Sequence, residues 1–285
     1  MNKIIYFGAI LLLFTACEDF FLKEVDIKVD KYPEGIALTG IWKNSLQGGA
    51  VFISEAKAIL DSTPSPIENA KIEITTTKNR TWNTTFNTRE KIYNCQSDSD
   101  IEIGEEINIK VTIPNFPVLE AKQIKPDTVS ITNIDFIVNG HTDIDGYKSD
   151  LIKVQLNDPP QKNYYGIKIF QYDQDGNIYN RYLNSQDQNF KGLTEDDVLV
   201  FNDDLFNGRK MTMNLYGYID NSTGNSLEVE LINLSEDLYK YYYSQIISLS
   251  SGENPFSEPI TIHQNVLNGY GIFGIGSSTK KILEF

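Results

Sequence analysis

Tyr165-Gly166-Ile167-Lys168-Ile169-Phe170-Gln171-Tyr172, then Asp173-Gln174-Asp175-Gly176-Asn177, then Ile178-Tyr179-Asn180-Arg181-Tyr182-Leu183 is the stretch that decides the fold class. β-branched and aromatic residues alternate with polar ones on both sides of a short polar interruption, the pattern of two strands with one face toward a core. Asp-Gly supplies the positive φ angles that a tight hairpin needs. The spacing of Asp173, Asp175 and Asn177 also invites a calcium loop. The downstream Glu and the flanking helices of an EF-hand are missing, so turn chemistry is the better reading.

The same alternation recurs along the chain, which holds 16 Tyr and 15 Phe. It predicts strands at residues 71–76, 107–113, 153–156 and 211–216. One segment departs from it. From Leu234 to Leu249, Leu238, Tyr242 and Ile246 repeat at four-residue spacing, Ser235 stands as an N-cap, and Glu236 and Asp237 suit the positive end of a helix dipole. Leu234 is placed to staple against Tyr239. The tyrosines of this helix could form a stacking platform for sugars or bases, but at helical spacing they read more readily as core against a sheet.

Gln123-Ile124-Lys125-Pro126-Asp127 breaks the alternation and suggests a boundary. The expected organisation is a signal peptide at 1–16, a tether at 17–34, an N-terminal β-sandwich domain at 35–126 and a C-terminal β-rich domain at 127–285. The fold class is all-β. The first domain is expected to be an immunoglobulin-like or transthyretin-like sandwich, and the second a larger β-sandwich or open barrel with one helix.

A formal charge of −14 makes the chain markedly acidic. That disfavours nucleic acid and anionic head groups as partners. The charge is dispersed: Asp98-Ser99-Asp100 and Glu195-Asp196-Asp197 read as solvated turns. Two histidines, His141 and His263, stand far apart in sequence, so no histidine-built metal or acid–base site is expected. Cys95 lies at a strand end and reads as a small buried hydrophobe rather than a nucleophile. Asp158, before Pro159, and the pair Asp203-Asp204 are candidate functional carboxylates, although a turn fixed by side-chain hydrogen bonds is the weightier reading.

The N-terminus carries the sharpest signal. Met1-Asn2-Lys3 precedes an apolar run from Ile4 to Phe14, too short to span a bilayer. Phe14-Thr15-Ala16-Cys17 then resembles a bacterial lipobox, with Phe14 in place of the usual Leu. This implies cleavage before Cys17 and lipidation of Cys17, whose acyl chains hold the protein on a membrane at about 0.8 kcal/mol per buried methylene. Glu18-Asp19 are similar to the acidic signal that sends some Bacteroidota lipoproteins to the cell surface, and a solvated tether explains them equally well.

No GxSxG, HExxH, GxxxxGK[ST] or CxxC occurs in the chain. The glycines of Gly269-Tyr270-Gly271-Ile272-Phe273-Gly274-Ile275-Gly276 are followed by Lys280-Lys281-Ile282-Leu283-Glu284-Phe285, a strand pattern rather than the helix of a dinucleotide-binding unit. They suit a strand that bends close to another backbone. No cofactor, no metal and no catalytic residue are expected.

Asn254-Pro255-Phe256-Ser257-Glu258-Pro259 and the run from Asn265 to Gly274 resemble the ending of a Bacteroidota lipoprotein family, domain of unknown function 4249. Leu38-Thr39-Gly40, Pro66-Ile67-Glu68-Asn69-Ala70 and Leu238-Tyr239-Lys240-Tyr241 are similar to it as well. The resemblance implies an outer-membrane lipoprotein, often encoded beside TonB-dependent receptors, and hence a binding accessory to such a receptor in nutrient capture. It supplies no ligand and no site residues. A surface adhesin or structural protein is the alternative, and a carbohydrate-active enzyme, built on two converging carboxylates, a more distant one.

Overall fold

A computed structural model describes residues 35–43, 48–56, 65–194, 197–219, 224–252 and 260–284. The signal segment 1–16, Cys17, the tether to residue 34, Glu195, Asp196 and residues 254–259 of the family-like ending lie outside the described residues. Before Pro126 the strands are β1 (Ile36–Trp42), β2 (Gly48–Glu55), β3 (Ser65–Pro66), β4 (Lys71–Thr76), β5 (Asn83–Asn87), β6 (Ile92–Gln96), β7 (Glu106–Thr112) and β8 (Leu119–Ile124). After it come β9 (Ile131–Thr142), β10 (Lys148–Asn157), β11 (Tyr164–Asp173), β12 (Ile178–Asn180), β13 (Phe190–Leu193), β14 (Leu199–Asn202), β15 (Lys210–Gly217) and β16 (Gly224–Leu234). Helix α1 (Glu236–Gly252) and strand β17 (Tyr270–Glu284) complete the order.

Period-two patterning accounts for the strands. In β4, Ile72, Ile74 and Thr76 are buried while Lys71, Glu73 and Thr75 face water. β10 begins five residues before the expected strand at 153–156 and ends one after it, and β15 extends the expected 211–216 by one residue at each end. β12 is the exception, for it stops at Asn180 where the alternation continues to Leu183. Arg181 donates its backbone N–H to Ile169 O, and the chain then leaves this sheet so that Asn184 can pair with Tyr216 of β15 in the facing one. Burial of Leu183 between the sheets favours this crossing over a longer hairpin.

Among the described residues the strands form one large sheet, ordered β13-β14-β11-β16-β17-β1-β2-β6-β5, and two three-stranded sheets, β4-β7-β8 and β15-β10-β9. The architecture is all-β and sandwich-like, and the sheets do not close into a barrel. Each small sheet has its own core against a different part of the large one. Ile72, Ile74, Ile107, Ile109 and Leu119 share a core with Leu38, Trp42, Val51 and Ile53. Ile152, Val154, Met213 and Leu215 share another with Tyr165, Ile167, Val229 and Leu231. Residues 34–285 form one compact unit.

β17 joins the two halves. Its first part pairs in parallel with β1, from Ala37↔Tyr270 to Trp42↔Ile275, and its second part pairs antiparallel with β16, from Leu234↔Gly276 to Ser226↔Glu284. Phe273 and Ile275 enter the N-terminal core, where the Phe273 ring meets Trp42 edge-on with centroids 5.3 Å apart. On the opposite face α1 covers the junction: Leu238, Tyr239, Tyr242 and Ile246 are buried with Val198, Val200, Ile232 and Leu234. With both faces of the strand covered, residues 272–277 of β17 are buried without interruption. Tyr239 and Tyr242 are thus core residues. The helix begins one residue after Ser235, whose hydroxyl accepts the Ile275 N–H at 3.4 Å and ties the helix start to β17.

The glycines permit this crowding. Gly271 holds φ at +100°, and a Cβ there would collide with the Leu38 carbonyl oxygen of the paired strand. Gly271→Ala is expected to lower stability by about 2–4 kcal/mol. Urea unfolding followed through the fluorescence of Trp42 and Trp82 checks this, and an unchanged midpoint would contradict the close approach.

Candidate functional site

At the start of α1 several polar side chains converge. Asp237, in the first turn of the helix, accepts the Gln123 amide from β8 at 2.8 Å and the Asn265 amide at 3.3 Å. Its carboxylate also lies 2.8 Å from His263 Nε2. Asn265 is itself held on both sides: its Oδ1 accepts the Phe273 N–H at 2.9 Å and its Nδ2 donates to the Phe273 carbonyl at 2.8 Å. Asp237 therefore fastens β8, the segment before β17 and the helix to one another. Burial alone would raise its carboxyl pKa, but the hydrogen bonds from His263, Gln123 and Asn265 outweigh it and hold the group below the usual range.

Two adjoining clefts open on either side, each lined by Asp237 and Lys122. One, of about 540 Å³, lies between the end of β8, Asp127, the 161–164 segment and the helix start. The other, of about 470 Å³, lies over β4, β7 and β8 beside Asn265 and Leu267. Their charged walls alternate in sign. Lys122 stands 3.5 Å from Glu106, Lys240 2.8 Å from Glu236 and Lys110 3.4 Å from Glu120. Such exposed pairs contribute at most about 1 kcal/mol each to stability, so they remain able to exchange partners with a polar ligand.

Behind the larger cleft the candidate carboxylates Asp158, Asp203 and Asp204 come together through Lys162 and Tyr165. Asp203 is wholly buried; its carboxylate accepts the Asn163 N–H and the Lys162 ammonium, each at 2.6 Å. Lys162 also pairs with Asp204. Asp158 accepts the Tyr165 hydroxyl and, at 2.8 Å, the Gly208 N–H. Burial pushes the Asp158 carboxyl above its usual range against those two hydrogen bonds. Apart from Tyr165 of β11, these groups sit in the turns between β10 and β11 or between β14 and β15, and through Asn163 Oδ1, which accepts Asn233 Nδ2 at 3.0 Å, the cluster is tied to β16 beside the cleft.

The residues singled out in the sequence take separate roles. Cys95 is buried in β6 and its thiol is pushed up to about 12 by burial, which leaves it protonated. In the Asp173 loop the carboxylate accepts the N–H groups of Asp175 and Asn177 at 2.9 and 2.8 Å, the Asn177 amide at 2.8 Å and the Tyr179 hydroxyl at 3.0 Å. That is a closed turn. His141 stacks on Tyr216 with ring centroids 3.9 Å apart, in a different part of the fold from His263. Among the described residues no three His, Cys, Asp or Glu side chains are grouped as metal ligands.

The Asp237–His263 contact went unseen in the sequence because 26 residues separate its members. A His and an Asn two positions apart ahead of a Gly-rich strand carry no distinctive spacing. Chemically, the pair is an aspartate–imidazole couple whose neighbouring hydroxyl is already engaged: Ser244 accepts the His263 backbone N–H at 2.9 Å and donates to the Tyr241 carbonyl at 2.8 Å. The arrangement suits holding and binding.

Because its folded pKa is depressed, Asp237 stabilises the fold above its unfolded pKa of about 3.9, and that contribution is lost as pH falls through the lower folded value. Asp237→Asn is expected to cost about 1 kcal/mol at pH 7, allowing for partial exposure of the group, and almost nothing in strong acid. Urea titrations at both pH values check this; a gap independent of pH would show that the carboxylate charge is not what holds its three partners.

No curated protein matches the chain. The family described as Domain of unknown function (DUF4249) matches residues 23–282, which includes β1 to β16, helix α1, the Asp237 junction and all but the last two residues of β17, and the chain belongs to that family.

Proposed function

We propose that the protein is an outer-membrane lipoprotein, anchored through lipid on Cys17, that acts as a binding accessory to a TonB-dependent receptor in nutrient capture, with the clefts around Asp237 as its ligand site. The observation that carries the anchoring is Phe14-Thr15-Ala16-Cys17 behind an apolar run of export length. No helix among the described residues is long and apolar enough to cross a membrane, so a lipid is the means of attachment this reading calls for.

Two features support binding over catalysis. The clefts are concave and walled by charged pairs of both signs, which suits a polar ligand recognised by partner exchange. Several groups with catalytic potential are already engaged by the fold: Asp237 by three side chains, Asp158 and Asp203 by turns, and Cys95 by the core.

Metabolic labelling with an alkyne fatty acid is expected to mark the wild-type chain and to leave Cys17→Ser unlabelled and released from the membrane fraction. In mild detergent the labelled chain is expected to co-purify with a large β-barrel protein. A wild-type chain that takes no label, or that migrates alone, contradicts the corresponding half of the proposal.

A further inference from the structure

The C-terminal sandwich ends, on the side away from α1, in a cluster of hairpin tips. β10 runs from the tip at 143–147 toward the α1 end, and β11 returns to the tip at 174–177. β15 ends at the same place, where Gly217 pairs with Asp150, and so does β17, where Glu284 pairs with Ser226. Here several large apolar side chains stand in water. Ile144 is fully exposed, and Tyr147, Tyr182 and Tyr218 are 74%, 65% and 74% exposed.

Side chains close the described turns at this end. Asp143 accepts the N–H groups of Asp145 and Tyr147 at 3.0 and 2.8 Å, the same closed turn that Asp173 makes with Asp175 and Asn177. The buried Asp150 carboxylate accepts the Asn139 N–H at 2.9 Å on one side and the Ile219 N–H at 3.1 Å on the other, which fixes the backbone beside Tyr218. Tyrosines on fixed loops at one end of a β-sandwich give large contact area at small entropic cost.

We propose that this end of the C-terminal sandwich is a docking surface for a protein partner that presents basic side chains. The charge follows from Asp145 and Asp175, which sit on the two tips while Asp143 and Asp173 turn inward to close them. A bilayer is the wrong occupant because the tips carry carboxylates, which anionic head groups repel. The surface does not rest on the anchoring proposed above.

The test is photocrosslinking of the full-length chain in its native cells, with p-benzoylphenylalanine at Tyr147 or Tyr218 and, as control, at the exposed Ile103 of the N-terminal half. The expected result is one and the same protein adduct from both tip positions, mapped to a Lys- or Arg-bearing segment of that protein and absent from the Ile103 control. Asp145→Lys with Asp175→Lys is expected to cut its yield about tenfold, the equivalent of 1.4 kcal/mol. Adducts with a second copy of this chain, with lipid or with glycan, equal yields at Ile103, no adduct, or a yield unmoved by charge reversal would each overturn the proposal. Failure of the anchoring shows separately, as loss of the fatty-acid label with the adduct retained.

Discussion

The molecule depends on a single long strand that serves two sandwiches. A strand can pair on two edges, and β17 uses that capacity in sequence: β1 in parallel beside its first half, β16 antiparallel beside its second. Parallel pairing needs a long crossover, and here almost the whole chain is the crossover, since β1 opens the described body and β17 closes it. The N-terminal core is incomplete until Phe273 and Ile275 arrive from the far end of the sequence. Such non-local closure carries a large entropic cost before its contacts form, and it binds the fate of both halves to the docking of the C-terminal strand.

The Asp237 junction is a consequence of that strand. Asn265 grips the backbone of Phe273 like an extra strand residue, and Ser235 meets Ile275 just where α1 begins. The helix start, β8 and the segment before β17 are thereby brought to within hydrogen-bonding reach of one carboxylate. The clefts are the space left beside β8, between the 161–164 segment and the helix start on one side and over β4 and β7 on the other. Their charged walls lie on parts fixed by the core beneath them, as a preformed binding site requires.

Local order was legible from the sequence and non-local order was not. Alternation placed β4 to the residue and β7 to within one, because half-buried strands write their burial into every second position. The helix was visible from Leu238, Tyr242 and Ile246, and the Asp173 turn from Asp-Gly. The end of β12 was missed because Leu183 keeps the period while serving a different sheet, and periodicity reports burial without naming the partner. Asp158 and Asp203 could be flagged by their turn contexts, yet their association through Lys162 and Tyr165 depends on two loops that pack only in three dimensions. The parallel register of β1 with β17 had no sequence signal at all beyond the glycines that make it sterically possible.

If one strand makes the two sandwiches a single cooperative unit, opening either half requires opening the other. Native-state hydrogen exchange measures this directly. The amides of β1, β17 and β16 are predicted to exchange with one common free energy and one common dependence on denaturant, close to the values for global unfolding. Exchange of β1, β2 and β6 at a distinctly lower free energy, with β16 and β11 still protected, would contradict the account and make the shared strand a contact between two independently folding halves.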